Sequence, residues 1–86
     1  MNVQKTVLTY LAENAVASLP ETNAKLLACR YLDEGIIDSL GIINMVTEFE
    51  EVFGITFSAE DMQSYEFQTV EGLVGIIERK FAETSQ

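Results

Sequence analysis

The feature that most constrains this chain is the helical spacing of its apolar residues, which recurs in four separate segments. Helices are predicted over roughly 2–17, 39–53 and 58–65, and from about 69 onward. No segment alternates apolar and polar residues cleanly enough to require a strand. The predicted fold class is therefore all-α: a small four-helix bundle of three main helices and one short one, with a long first loop. The 86 residues are enough for one domain, 1–86, with a modest core.

Local signals mark the ends of these helices. Pro20 lies just past the first helix, and Gly54 follows the second as a C-terminal glycine should. Ser58 with Asp61 has the spacing of a capping box, and Thr69 is the predicted N-cap of the last helix. The apolar stripe of the second helix consists of Ile42, Met45, Val46, Phe49 and Phe53. The stripe of the last helix consists of Val70, Leu73, Val74, Ile77 and Phe81.

A connecting segment of about residues 18–38 separates the first two main helices. It is long for a compact domain, so we expect it to be functional or partly structured. A helical turn is predicted over 23–28. Cys29 lies in this segment, and a small buried residue is a more plausible role for it than a reactive thiol.

The charge distribution is strongly one-sided. The formal net charge is −9, and between Tyr31 and Glu78 there are eleven acidic residues and no lysine or arginine. Such a surface repels nucleic-acid backbones, so we expect no nucleic-acid binding. It should attract basic partner surfaces and speed their encounter. The alternative is that the acids form only a solvated face.

Several kinds of chemistry lack the residues that they require. The chain has no histidine, which removes the common nucleophile–histidine pairs and most zinc or iron sites. We therefore predict neither an enzyme nor a metal site. A single cysteine cannot form an internal disulfide, which favours a reduced, cytoplasmic setting. No run of 18 uncharged apolar residues is present, so no membrane span is expected.

One hydroxyl residue occupies an unusual place in the stretch "DEGIIDSLGIIN", residues 33–44. Asp38 is a good N-cap for the second helix, which places Ser39 at its first position. The simplest interpretation is a solvent-facing residue in a first turn. However, a helix N-terminus favours an anion, so a phosphodiester on the Ser39 hydroxyl would lie in a compatible field.

The residues around Ser39 also favour a role in binding. Leu40 and Ile43 fall outside the core stripe of their helix, which predicts an apolar docking patch. Gly35 allows the loop to turn, and Gly41 is interpreted as leaving room for a partner or prosthetic group. The predicted partner-docking residues are Leu40, Ile43, Thr47, Glu48, Glu50 and Glu51.

At these residues the chain resembles a known family. "GIIDSLG" followed by "IINMVTEFEEVFGI" is similar to the attachment site and second helix of acyl carrier proteins. The order of a first helix, a long loop, Asp-Ser-Leu, a short helix and a Thr-Val-opened last helix matches over nearly the whole chain. The resemblance implies a 4′-phosphopantetheine arm, derived from coenzyme A, on Ser39. An acyl or aminoacyl cargo would be held on this arm as a thioester.

The resemblance also implies the partners. They are a phosphopantetheinyl transferase and, for the cargo, an acyl- or aminoacyl-adenylating ligase, a synthase or an acyltransferase; we expect a monomer. Two residues separate Gly35 from Asp38, and Gly41 stands where the fatty-acid type has aspartate. "GIIDSLG" and "EFQTV" are more similar to D-alanyl carrier proteins. The alternative function is an unmodified acidic adaptor that binds basic partners through the same face.

Overall fold

A computed structural model describes residues 2–84, which form an all-α structure without strands over that range. The predicted fold class is confirmed. The elements are α1 (Val3–Asn14), α2 (Asn23–Ala28), α3 (Ser39–Phe53), α4 (Ala59–Gln63), a 3₁₀ helix (Tyr65–Gln68) and α5 (Val70–Thr84).

The first difference from the prediction concerns the end of α1, which stops at Asn14 and not near residue 17. Ala15 already has an extended backbone, with ψ 137°. The next amide, Val16 N–H, donates to the carbonyl of Ile36 at 2.9 Å. A tertiary hydrogen bond therefore draws the chain out of the helix toward the loop that precedes α3.

The second difference is that the predicted turn in the connecting segment is a complete short helix, α2. The Thr22 side chain caps α2 by accepting from the Lys25 N–H at 3.2 Å. Leu26 is buried and holds α2 against the core. The described chain thus has five α-helices where four were expected.

The short helix α4 has the predicted capping box, in which Ser58 and Asp61 each accept the other's backbone N–H. It ends at Gln63, two residues before the predicted end, and the chain continues as the 3₁₀ helix. This change of helix type coincides with the burial of Phe67, whose carbonyl accepts a hydrogen bond from the Tyr31 hydroxyl.

The centre of the molecule is filled by two chains of contacting aromatic rings. In one chain, Phe49 contacts Tyr10 and Phe53 at centroid distances of 5.1 and 5.9 Å, and Phe53 contacts Phe81. The other chain links Tyr31, Phe67 and Phe57. In the α3 stripe Met45, Phe49 and Phe53 are buried, while Ile42 and Val46 pack at the core's edge. The predicted stripe is therefore the inner face of α3.

Two basic residues of α5 tie the preceding short elements to this helix. Arg79 makes a two-point ion pair with Glu66, at 2.9 and 3.1 Å, and Lys80 Nζ lies 2.6 Å from Asp61 Oδ2. The structure pairs them with the 3₁₀ helix and α4.

Gly72, in the first turn of α5, lies directly against the backbone of the 3₁₀ helix. A Cβ at this position would stand 2.0 Å from the carbonyl oxygen of Glu66. We expect Gly72→Ala to lower the free energy of unfolding by about 2–3 kcal/mol, because the two helices must move apart. Chemical denaturation measures this loss.

Gly75 is the matched control for this substitution. Its added Cβ would meet only the ends of two side chains, at 3.8 and 3.9 Å. Gly75→Ala should therefore raise stability by up to about 1 kcal/mol through helix propensity. Equal behaviour of the two variants would contradict the close approach at Gly72.

Candidate functional site

The N-terminus of α3 is capped as the sequence predicts. Asp38 has an extended backbone, and its Oδ1 accepts from the Gly41 N–H at 2.7 Å. Its carbonyl accepts the first helical hydrogen bond, from the Ile42 N–H. Ser39 is the first residue of α3 and is exposed. The cap therefore orients the start of the helix while the serine faces solvent.

The loop before this cap is anchored from within. Gly35 has φ +71°, a left-handed conformation that glycine adopts at little cost. The amides of Ile36 and Ile37 both donate to the Tyr31 carbonyl, and both side chains are buried. These two isoleucines, the residues between glycine and aspartate, fix Asp38 and Ser39 relative to the core.

The structure assigns Gly41 a different role from the one predicted. A Cβ at position 41 would stand 2.9 Å from Cγ2 of Ile37 and 3.0 Å from Oδ1 of Asp38. Glycine is thus explained by the chain's own cap and buried loop, without an approaching partner. The sequence alone does not show this contact, because it arises only when Ile37 packs beneath the first turn.

The outer side of α3 carries the expected apolar patch. Leu40 and Ile43 are 68% and 63% exposed, which is high for large apolar side chains. Thr47, Glu48 and Glu51 are also exposed on α3. We call Leu40, Ile43 and Thr47, with Glu48 and Glu51, the outer face of α3.

Glu50 departs from the expectation that it steers partners. Its Oε2 accepts the Phe57 N–H at 2.8 Å, and the side chain is partly buried. Its carbonyl also accepts from Gly54 and Ile55, the residues that end α3. Glu50 therefore holds the turn between α3 and α4, so we exclude it from the outer face.

Cys29 has the buried role that the sequence favours. It is 4% exposed, and its Sγ donates to Oε2 of Glu34 at 2.9 Å. Burial, together with the hydrogen bond and the charge of Glu34, raises the pKa of the Cys29 thiol to about 12. A thiol held in its protonated form is a poor nucleophile.

Residues 2–84 contain neither a metal-ligating cluster nor a membrane-spanning helix. No group of three or more histidine, cysteine, aspartate or glutamate side chains has the arrangement of a metal site within that range. None of the helices described there has the length and apolar character needed to cross a bilayer.

Comparison with known proteins connects this geometry to a family. The family model described as "Phosphopantetheine attachment site" matches residues 30–77, more than half of the chain. The matched range contains the anchored loop, the capped serine, α3, α4, the 3₁₀ helix and half of α5. The chain belongs to this family.

A curated relative supports the same assignment. The D-alanyl carrier protein of Abiotrophia defectiva is 32% identical over 50 residues, which cover 58% of this chain and 63% of the relative. The chain thus spans a little under two thirds of the relative's length. The resemblance found in the sequence is confirmed, and the chain is a phosphopantetheine carrier domain, the kind of domain to which a covalent arm is attached.

The residues at the start of α3 fit such an arm. The first-turn N–H groups of this 15-residue helix and its dipole favour the phosphodiester that would join the arm to a side chain. The exposed serine hydroxyl is the chemical group that such a bond requires.

Proposed function

We propose that the Ser39 hydroxyl is the attachment point of the 4′-phosphopantetheine arm. The observation that carries this proposal is the exposure of Ser39 at the first position of α3, beside a capping aspartate and an exposed apolar patch. When bound, the arm supplies a thiol on which a cargo is held as a thioester. Asp38 orients the helix start, and the buried isoleucines before it keep the serine at a constant place.

The two other serine hydroxyls in the matched range are less suitable. The Ser58 Oγ accepts the Asp61 N–H in the α4 capping box, and the Ser64 Oγ donates to the Asp61 carbonyl. Both hydroxyls therefore already form hydrogen bonds within the fold. Modification of either would remove a contact that holds α4.

We propose a short aminoacyl cargo, with D-alanine as the first candidate, because the relative is named a D-alanyl carrier protein. An aminoacyl-adenylating ligase would load it, and a synthase or acyltransferase would receive it.

The outer face of α3 would dock the transferase and these enzymes, with Leu40 and Ile43 at its apolar centre. We also propose a reduced cytoplasmic setting and a monomeric state. The buried, protonated Cys29 is compatible with both.

Intact mass spectrometry tests the attachment. The purified chain, incubated with coenzyme A and a phosphopantetheinyl transferase, should gain the mass of one phosphopantetheinyl group. Proteolysis should then locate this mass on the peptide that contains Ser39. A D-alanine-adenylating ligase with ATP should add one alanyl group only to the modified chain. No mass gain with an active transferase would reject the carrier and favour the unmodified acidic adaptor.

Electrostatic steering provides a separate prediction. Glu48→Lys with Glu51→Lys should lower the association rate with the transferase about tenfold at low salt, because steering charges are reversed on the docking face. The wild-type rate should fall as salt rises, since exposed charges are screened beyond about 8 Å at physiological ionic strength. Stopped-flow measurement gives both rates.

The control reverses Glu21 and Glu78, which are exposed in the connecting segment and on α5. This pair changes the net charge equally but leaves the outer face of α3 intact. Equal slowing in both double variants would mean that only net charge matters, and no slowing in either would leave the acids as a solvated face.

A further inference from the structure

A groove lies between α1 and α3 and begins next to Ser39. Three adjoining hollows form it, and Tyr10 lines all three. The first and second hollows share Asn14 and Asn44, and the second and third share Glu13 and Glu48. The hollows therefore follow one another along α3. Their volumes of about 270–440 Å³ far exceed the ~30 Å³ share of one water.

The chemical character of the lining changes in order along this groove. The first hollow contains Asp38 and two exposed apolar residues, Val16 and Leu40. The amide side chains Asn14 and Asn44 come next. Three carboxylates follow in the second hollow, those of Glu13, Glu48 and Glu51. Lys5 lines the third hollow and not the first two.

Phosphopantetheine has the same order of chemical groups. Its phosphate would be attached at Ser39, and an apolar dimethyl group, two amides and the sulfur that bears the cargo follow. From Asp38 to Glu48, α3 rises about 15 Å at 1.5 Å per residue. The arm consists of linked pantoate, β-alanine and cysteamine units. If each unit spans about as much as an extended peptide residue, the extended arm has a length of the same order.

We propose that this groove is the resting site of the arm and of an aminoacyl cargo, whose ammonium group lies against Glu13 and Glu48. The proposal rests on attachment at Ser39. It assigns the groove a ligand class: a neutral diamide chain that ends in a small cation. Asn44 hydrogen-bonds the amides, and so does the Asn14 Oδ1, because the Asn14 Nδ2 already donates to the Tyr10 carbonyl at 2.9 Å. The carboxylates bind the ammonium through charge-assisted hydrogen bonds.

The electrostatics of the groove agree with this assignment. Burial and, to a lesser degree, the charge of Glu48 raise the pKa of Tyr10, so the Glu48 field reaches the residue common to all three hollows. The interior is a poor alternative site for such a cargo. It is packed with contacting aromatic rings, and an unpaired ammonium buried among them would be costly.

Nuclear magnetic resonance of the loaded protein tests the resting site. The transferase can attach the arm from D-alanyl- or propionyl-coenzyme A, which makes the test independent of a ligase. The two cargoes differ by the ammonium group. We expect amide shift differences between the two loaded forms at residues 13–14 and 44–48. Glu13→Gln with Glu48→Gln should reduce these differences by about half or more, because the ammonium loses two of three carboxylates.

The matched control is Glu21→Gln with Glu71→Gln, exposed residues that do not line the groove. It changes the net charge equally and should leave the differences unchanged. Differences confined to residues 38–41, or equal effects of the two double variants, would overturn the resting site while intact mass still confirms attachment. A wild-type chain that gains no arm would overturn the attachment proposal and this inference together.

Discussion

Ser39→Ala is expected to abolish attachment of the phosphopantetheine arm completely while leaving the fold intact. The serine is exposed at the first turn of α3, and the cap is made by the Asp38 side chain, so alanine removes the hydroxyl without opening a cavity. Surface changes of this kind usually alter stability by less than about 0.5 kcal/mol. The readouts are intact mass after incubation with coenzyme A and a transferase, and thermal unfolding of the unmodified chain.

Ser58→Ala is the control for this prediction. It removes the side-chain cap of α4, which should cost about 1 kcal/mol, yet the chain should still accept one arm. A Ser39→Ala variant that still gains one phosphopantetheinyl mass would place the attachment site elsewhere. In that case the hydroxyls of Ser58 and Ser64 would become the candidates.

Phe49→Ala is expected to cause the largest loss of stability. Phe49 is 1% exposed and contacts the rings of Tyr10 and Phe53. Truncation leaves a cavity at the centre of one aromatic chain and should cost about 3–5 kcal/mol. Small domains have a total stability of roughly 5–15 kcal/mol, so this loss removes most of the stability if the wild type lies at the lower end of that range. Urea unfolding, with the wild type in parallel, measures the loss.

Ile43→Ala on the same helix separates packing from docking. Ile43 is 63% exposed, so its truncation should cost less than about 1 kcal/mol. Transfer of the arm and of the cargo should nevertheless slow, because the apolar centre of the outer face is removed. If Ile43→Ala unfolds the chain as readily as Phe49→Ala, the residue belongs to the core and the docking face loses its centre. Normal transfer by a stable variant would also contradict the docking role.

Much of this protein is determined locally, and the sequence predicted those parts. Helical spacing of apolar residues indicated α1, α3 and α5, and capping residues such as Asp38, Thr69 and Gly54 marked ends that the structure confirms. These signals depend on neighbours within four positions, so each helix and its ends can be predicted from one short segment of the sequence. The same locality singled out Ser39 as the candidate attachment residue, since an Asp-Ser-Leu helix start with two apolar residues off the stripe is visible in a dozen letters.

Only the tertiary structure decided the features that join distant segments. Gly72 needs to be glycine because the Glu66 backbone crosses it, and α1 ends early because Val16 bonds to Ile36. Glu50, which the sequence predicted as a steering charge, accepts a hydrogen bond from the Phe57 N–H. The α1–α3 groove likewise exists only where two separately predicted helices meet. Periodicity reports which face of a helix is apolar, but the neighbour that covers this face, and the space left beside it, depend on the packing of the whole chain.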